Sequence, residues 1–232
     1  MYEPWLCAED DTIPTLDAVF RTLPPEVGFD IEIKMATGEE VVHTPAEEVD
    51  RMLTAILPVV QQHYATQLKP DGRPRAIMFS SFDPDVCLEL RNRQATHPVY
   101  YLSGCGLYRH ADERRTSIPA ALTFAAGAGM RGIVVPASIL LKNMDMVATA
   151  RDSHMELMTY GLENNDLVSL KQQADAGVVA AIVDEVASVT AALGAEAQQQ
   201  HGAQQAQQQQ QAEPVRQEQP VGQAWGAGVT AA

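Results

Sequence analysis

Six times along this chain a short apolar run is followed by a longer segment of helical periodicity, and that alternation restricts the fold more than any single motif does. The strand patterns fall at residues 29–34, 76–80, 99–102, 132–135, 155–160 and 180–183. A strand that is always followed by a helix has to return across the sheet before it can pair again. The alternation therefore calls for a parallel sheet with right-handed crossovers. A closed barrel of this kind needs eight strand-helix units. Six leave two architectures: an open, doubly wound sheet, or a (β/α)8 barrel without its first two units.

Local signals place the helices. Pro14 opens a short helix over 15–20 that ends at Leu23-Pro24-Pro25. Thr44-Pro45-Ala46-Glu47 supplies an N-cap, a first-turn proline and a capping-box glutamate. Val49, Met52, Leu53, Ile56, Val60 and Tyr64 then repeat at three and four residues, which predicts a helix to about Leu68 with a kink at Pro58. Asp83-Pro84-Asp85 reads as a second capped start, and further helices are expected over 117–128, up to about Arg151, over 166–176 with Gly177 as terminator, and up to about Leu193.

From Gly194 the composition falls to Gln, Ala, Gly and Pro, with an unbroken glutamine run at 207–211. Such a segment has too few large apolar residues to repay its ordering entropy. The expected organisation is one domain over 1–193 and a disordered Gln/Ala-rich tail over 194–232.

Thirty acidic against 16 basic residues give a formal charge of −14, which excludes a general nucleic-acid binder because phosphate neutralisation needs clustered Lys and Arg. Cys7, Cys87 and Cys105 fit neither a disulfide framework nor a metal knuckle, so they are expected to be reduced thiols of a cytoplasmic protein. No segment approaches the roughly 18 apolar residues of a membrane span, and the N-terminus lacks a signal-peptide pattern.

The strand at 29–34 carries the most chemistry. Phe29, Ile31 and Ile33 alternate with Asp30, Glu32 and Lys34, so one face is apolar and the other ionic. From spacing alone this is either a solvated ion pair on an edge strand or the wall of a polar pocket.

The residues around it carry a resemblance. Pro14-Thr15-Leu16, the run from Phe29 to Lys34, Ser80-Ser81-Phe82-Asp83-Pro84-Asp85, Leu157-Met158-Thr159-Tyr160-Gly161 with Glu163-Asn164-Asn165-Asp166, and Ala181-Ile182-Val183-Asp184 stand in the order and spacing of the glycerophosphodiester phosphodiesterase family. The chain most resembles its eukaryotic branch, whose fungal members carry the catalytic domain behind SPX and ankyrin-repeat regions. The likeness covers about residues 13–193.

The resemblance implies a (β/α)8 (TIM) barrel of which the six units are strands three to eight. It implies metal-dependent hydrolysis of glycerophosphodiesters such as glycerophosphocholine, a step in glycerophospholipid metabolism that yields an alcohol and glycerol 3-phosphate. By match of motif, Glu32 is a ligand of calcium or magnesium and Lys34 a partner of the substrate phosphate. Ser81 and Phe82 occupy the family's Ser-Phe position and are expected to line the substrate pocket, as is Met158, which replaces a frequent tryptophan.

The family's His-Arg pair, its E-x-D metal motif and its second catalytic histidine belong to the first two units and have no counterpart here. The expectation is an N-terminally truncated barrel with no catalytic histidine and an open edge prone to self-association. The alternative is a non-catalytic pseudoenzyme serving as a binding or regulatory module. His43 and His110 fall in loops after strands, the face on which barrel enzymes place their sites. His63, His97, His154 and His201 read as structural or exposed.

Overall fold

All six expected strands form one parallel sheet, and they lie in it in chain order. The structure is a computed structural model that describes residues 12–36, 38–195 and 198. Its strands are β1 (Phe29–Glu32), β2 (Ile77–Ser81), β3 (Val99–Leu102), β4 (Gly132–Pro136), β5 (Glu156–Tyr160) and β6 (Ala180–Ala181). The helices are α1 (Leu16–Thr22), α2 (Ala46–Thr66), α3 (Pro84–Arg93), α4 (Ile118–Gly127), α5 (Ala137–Leu140), α6 (Asp145–Asp152) and α7 (Leu167–Ala176).

Strand order settles the architecture. A doubly wound sheet reverses direction at a switch point and carries helices on both faces. Here the order never reverses, and the two faces differ in what covers them. Ile31, Ile33, Ile77, Phe79, Val99, Tyr101, Ile133, Val135 and Leu157 pack with Val49, Leu53, Val86, Leu90, Ala121, Leu122 and Val147 from the helices. The opposite face gathers residues of the strands and their ends: Tyr100, Leu102, Val134 and Met158, with Met78, Phe82 and Tyr160 against them. Helices outside and strand side chains inside is the arrangement of a barrel, present here as a parallel half-barrel of six strands.

The main core is well filled. Leu53, Phe79, Val86, Leu90, Val99 and Ile133 are each fully buried, and burial of each such side chain contributes about 1.5–3 kcal/mol. Gly132 is required by the packing of β4 on β5, because a Cβ there would lie 2.1 Å from the Glu156 carbonyl oxygen.

Several boundaries differ from the sequence reading. Thr44 does not cap α2: the Asp83 carboxylate is buried, and the Thr44 hydroxyl donates to it instead. The long helix expected up to Arg151 is divided into α5 and α6, because Asn143 turns its side-chain amide onto the Ile139 carbonyl (2.8 Å) and its backbone N–H onto Leu140 (2.7 Å). α2 continues helical through Pro58. β6 stops at Ala181 because Asn164 Nδ2 takes the Ile182 carbonyl (2.9 Å) and Asn165 accepts from the Asp184 and Glu185 amides (3.1 Å each).

The chain divides into units 1–186 and 187–232, and all of the sheet lies in the first. In the second, residues 187–195 and 198 are helical. The acidic start at 1–11 and the glutamine-rich stretch from 199 onward lie outside the described residues.

Candidate functional site

Parallel register decides which side chains share the inner face. Asp30 pairs with Met78 and Glu32 with Ser80; Ser80 pairs with Tyr100, Leu102 with Val134, Val134 with Met158 and Pro136 with Tyr160. The C-terminal ends of the strands therefore bring Glu32, Phe82, Leu102 and Tyr160 to one rim, with Met158 below it.

At that rim Lys34 Nζ lies 2.7 Å from Glu32 Oε1, with the lysine side chain 77% and the glutamate 30% exposed. An ion pair this open to water contributes little to stability. Its interest is that an ammonium and a carboxylate are held together at the mouth of the inner face.

The ladder of β1 ends at Ile33, whose N–H donates to the Ser80 carbonyl (2.8 Å). The fully buried Ser81 then donates its hydroxyl to the Ile33 carbonyl (2.6 Å) and accepts from the Asp83 N–H (3.1 Å). Ser81 thus locks the segment between Glu32 and Lys34 to the start of α3. One turn of the pleat below, Asp30 accepts from Ser80 Oγ (2.8 Å). Burial raises the Asp30 carboxyl above its ordinary value, and the Glu32 charge adds to the rise against the Ser80 hydrogen bond.

Three loops after successive strands are tied together beside this rim. Asp83 caps α3 by accepting from the Asp85 (2.9 Å) and Val86 (3.1 Å) amides. Asp85 accepts from the Thr44 amide (2.9 Å) and from Arg114 Nη1 (2.7 Å). Burial alone would raise the Asp85 carboxyl, but Arg114, the Thr44 amide and His43 together hold it below the usual carboxylate range. Arg114 also donates from Nε to Asp112 (2.9 Å) and from Nη2 to the Val42 carbonyl (2.8 Å), and it lies over the Phe124 ring at 5.2 Å. The Ala111 N–H donates to the Glu39 carbonyl (2.8 Å), a second tie between the same loops.

The aromatic side of the rim is made by Phe82 and Tyr160, whose rings meet edge to face at 5.6 Å and 88°. Burial, followed by the neighbouring Cys105, Tyr108 and Glu32, pushes the Tyr160 hydroxyl well above its ordinary value. Behind it, the buried Thr159, Asn164 and Gln173 are joined: Thr159 donates to Gln173 (2.6 Å), while Asn164 donates to Thr159 (3.1 Å) and to the Ile182 carbonyl and accepts from Gln173 (3.0 Å). Tyr108 is 61% exposed on the loop after β3, its ring over Gly104, where a Cβ would stand 3.3 Å from Cδ2.

The expected site residues thus divide. Glu32, Lys34 and Phe82 reach the rim, Met158 is buried beneath it, and Ser81 faces the helices and acts through the backbone of Ile33. His43 is an exposed partner of Asp85 (3.3 Å), and burial, then the Arg115 charge, lowers His110 below its ordinary value. His63 and His97 are buried in ring contacts, His63 stacked on Phe20 and His97 edge-on to Tyr64 and Phe79. Sequence reasoning missed Arg114, Tyr108 and a role for Tyr160; only the local basicity of 109–115 and the block around Thr159-Tyr160 hinted at them.

Among the described residues no group of three or more His, Cys, Asp and Glu side chains converges to hold a metal ion. A hard cation takes six or more oxygen ligands or waters, so Glu32 by itself does not make its site.

Comparison with known proteins places this geometry. Residues 4–188 match the glycerophosphoryl diester phosphodiesterase family. A protein named glycerophosphodiester phosphodiesterase, chloroplastic, from Arabidopsis thaliana is 34% identical over 190 residues, which cover 82% of this chain and 50% of that protein. A glycerophosphocholine phosphodiesterase from Eremothecium gossypii is 35% identical over 188 residues, 79% of this chain and 14% of the relative. The chain thus spans about half the length of the plant relative and a smaller share of the fungal one.

Among solved structures, the glycerophosphodiester phosphodiesterase of Thermotoga maritima superposes with a TM-score of 0.51 at 19% identity, over 78% of this chain and 63% of that one. That likeness carries the fold alone. The family match over most of the sequence carries the rest: this chain belongs to the glycerophosphoryl diester phosphodiesterase family.

Proposed function

We propose that the inner rim is the phosphate-binding part of a site for metal-dependent hydrolysis of glycerophosphodiesters, such as glycerophosphocholine, to an alcohol and glycerol 3-phosphate. The observation that carries this reading is the Glu32–Lys34 pair, held at the C-terminal end of β1 where barrel enzymes of this class do their chemistry. Lys34 presents an exposed ammonium to the phosphoryl oxygens and neutralises the charge that builds on them. Glu32 would contribute one oxygen ligand to a calcium or magnesium ion. Phe82 lines the headgroup side, Met158 forms the floor, and Ser81 holds the backbone that aims Glu32 and Lys34.

The domain is proposed to end near 193, with 194–232 as a disordered tail. Two buried thiols, Cys87 and Cys105, suit a reducing compartment, and we place the protein in the cytoplasm, in glycerophospholipid metabolism. Among the described residues no helix is long and apolar enough to cross a membrane. The acidic balance speaks against nucleic acid as a partner. Among the described residues β1 pairs only with β2 and β6 only with β5, so both sheet edges offer backbone groups to another strand. Self-association through them is proposed, and a concentration-independent monomer in sedimentation velocity would contradict it.

The lack of a convergent metal cluster among the described residues favours a second reading, a non-catalytic binding or regulatory module. One experiment tests the rim. Residues 1–232 are titrated with glycerol 3-phosphate and glycerophosphocholine by calorimetry, with and without Ca²⁺ or Mg²⁺, and choline release is followed. The proposal expects weak binding that Lys34→Met abolishes, with release barely above background. Metal-dependent turnover would overturn the incomplete site, and binding indifferent to Lys34→Met would overturn the phosphate role.

A further inference from the structure

We infer that β1 is a pairing surface for a second copy of this chain: two β1 edges join antiparallel about a two-fold axis at Ile33, so that Glu32 of each copy stands opposite Lys34 of the other. This narrows the self-association proposed above to one edge and one register. It does not depend on the phosphate reading.

The backbone shows which groups are open. Phe29 and Ile33 donate their N–H groups to the Ala76 (2.9 Å) and Ser80 (2.8 Å) carbonyls on the β2 side, and the Ile33 carbonyl accepts from Ser81 on that same side. Backbone groups of an extended strand alternate in direction, so Asp30, Glu32 and Lys34 turn theirs to the other side. Among the described residues no strand lies there. The extended segment runs on past β1, because Met35 packs on the main core as Ile31 and Ile33 do. Asp30, Lys34 and Ala36 are exposed.

The opposite edge of the sheet is less able to pair. β6 has two residues, and beyond it Asn164 occupies the Ile182 carbonyl while Asn165 occupies the Asp184 and Glu185 amides.

Charge selects both the partner and the register. A lysine on an edge strand ordinarily repels another copy of itself. A lysine two residues from a glutamate on the same face does not, because Glu-Ile-Lys read in the reverse direction is its own complement. Antiparallel pairing centred on Ile33 sets Glu32 opposite Lys34 twice, with Ile33 opposite Ile33 and Ile31 opposite Met35 on the helix-covered face. Glu32 and Lys34 both direct their backbone outward, so they form the pairs that exchange N–H···O bonds. A register centred on Glu32 opposes two carboxylates, and one centred on Lys34 opposes two ammonium groups. A slip by one residue sets the ionic face against the apolar one. Lys34 already lies 2.7 Å from its own Glu32, so the four side chains alternate in sign around the axis.

The test is sedimentation velocity on residues 1–232 from roughly 10 µM to 1 mM, since a single strand pair is smaller than a standard interface and associates weakly. Glu32→Lys and Lys34→Glu each turn both cross-strand pairs repulsive, and each variant is expected to lose about tenfold or more in self-association. An equimolar mixture of the two restores it, because each copy then meets the opposite charge in the other. Asp30→Pro removes an outward N–H while keeping Glu32 and Lys34, and it should also weaken association. Thermal melts confirm that the variants fold. Amide exchange needs no variant: in the wild type the Glu32 and Lys34 amides should gain protection as concentration rises.

Association that both charge reversals leave unchanged, a mixture that fails to recover it, or Glu32 and Lys34 amides that stay unprotected while the chain associates overturns this pairing and leaves self-association to another surface. A monomer at every concentration overturns both.

Discussion

Arg114 Nη1 stands 2.7 Å from Asp85 Oδ1, and through that contact the loop after β3 is fastened to the start of α3. The same guanidinium reaches Asp112 and the Val42 carbonyl, so one side chain closes three loops around the rim that carries Lys34. Arg114 and Asp85 keep about a fifth of their side-chain surface in water, and Asp112 only 4%.

Removing the guanidinium leaves two carboxylates without their strongest donor. Arg114→Ala is therefore expected to cost roughly 2–3 kcal/mol, the scale of a hydrogen bond to a charged group left unmade. Arg114→Lys should recover little, because an ammonium cannot span three acceptors in a plane. Urea unfolding of the two variants measures this; equal stability of wild type and alanine variant would refute it.

The placement of Arg114 illustrates what the sequence could and could not disclose. The alternation of apolar runs and helical periods already restricted the chain to a parallel α/β sheet, because that pattern depends on neighbours within a few residues. The choice between open sheet and barrel came instead from matched blocks such as Phe29 to Lys34, and structurally from strand order. The Glu32–Lys34 pairing was legible because its two members stand two residues apart in one segment. The ties of Arg114 to Asp85 and Val42 and of Tyr160 to Phe82 were not, since those partners come from segments far along the chain that no local pattern encodes. Thr44 shows the same limit in reverse: it stands in a local capping pattern, but α2 begins one residue later with Pro45 at its cap, and the Thr44 hydroxyl goes to the buried Asp83 carboxylate.

His97 gives the fold a pH dependence. It is buried between Tyr64 and Phe79, and burial lowers it below its ordinary value of 6.5. The unfolded chain then binds a proton more readily than the folded one, so this contribution is fully present above about pH 6.5 and is lost as pH falls toward the depressed folded value. The expected outcome is a thermal midpoint that drops between pH 7 and 5, with a shallower drop in His97→Phe. An identical slope in both proteins would assign the effect elsewhere.

Gly132 has no tolerance for a side chain. A methyl group there meets the Glu156 carbonyl oxygen at 2.1 Å, and backbone of a paired strand cannot rotate away as a flexible side chain does. Gly132→Ala should force β4 and β5 apart and cost about 3 kcal/mol or more, at the upper end of overpacking penalties. Gly127→Ala is the control, since nothing lies within 4 Å of its Cβ position. Chemical denaturation of the pair should show a large loss for the first and little change for the second.

Metal addition probes the rim directly. Among the described residues Glu32 has no second and third ligand converging with it, and its carboxylate is already engaged by Lys34 at 2.7 Å. A divalent ion must displace that ammonium and still satisfy most of its coordination with water, so affinity for residues 1–232 is expected to be no tighter than about 1 mM, the weak end of calcium sites. At 1 mM Ca²⁺ or Mg²⁺ the linked stabilisation is then at most about 0.4 kcal/mol. Lys34→Met should strengthen the response by freeing Glu32, and Glu32→Gln should abolish it. Differential scanning fluorimetry across a metal titration reads all three; a large stabilisation of wild type at micromolar metal would mean that Glu32 has carboxylate partners the rim geometry does not account for.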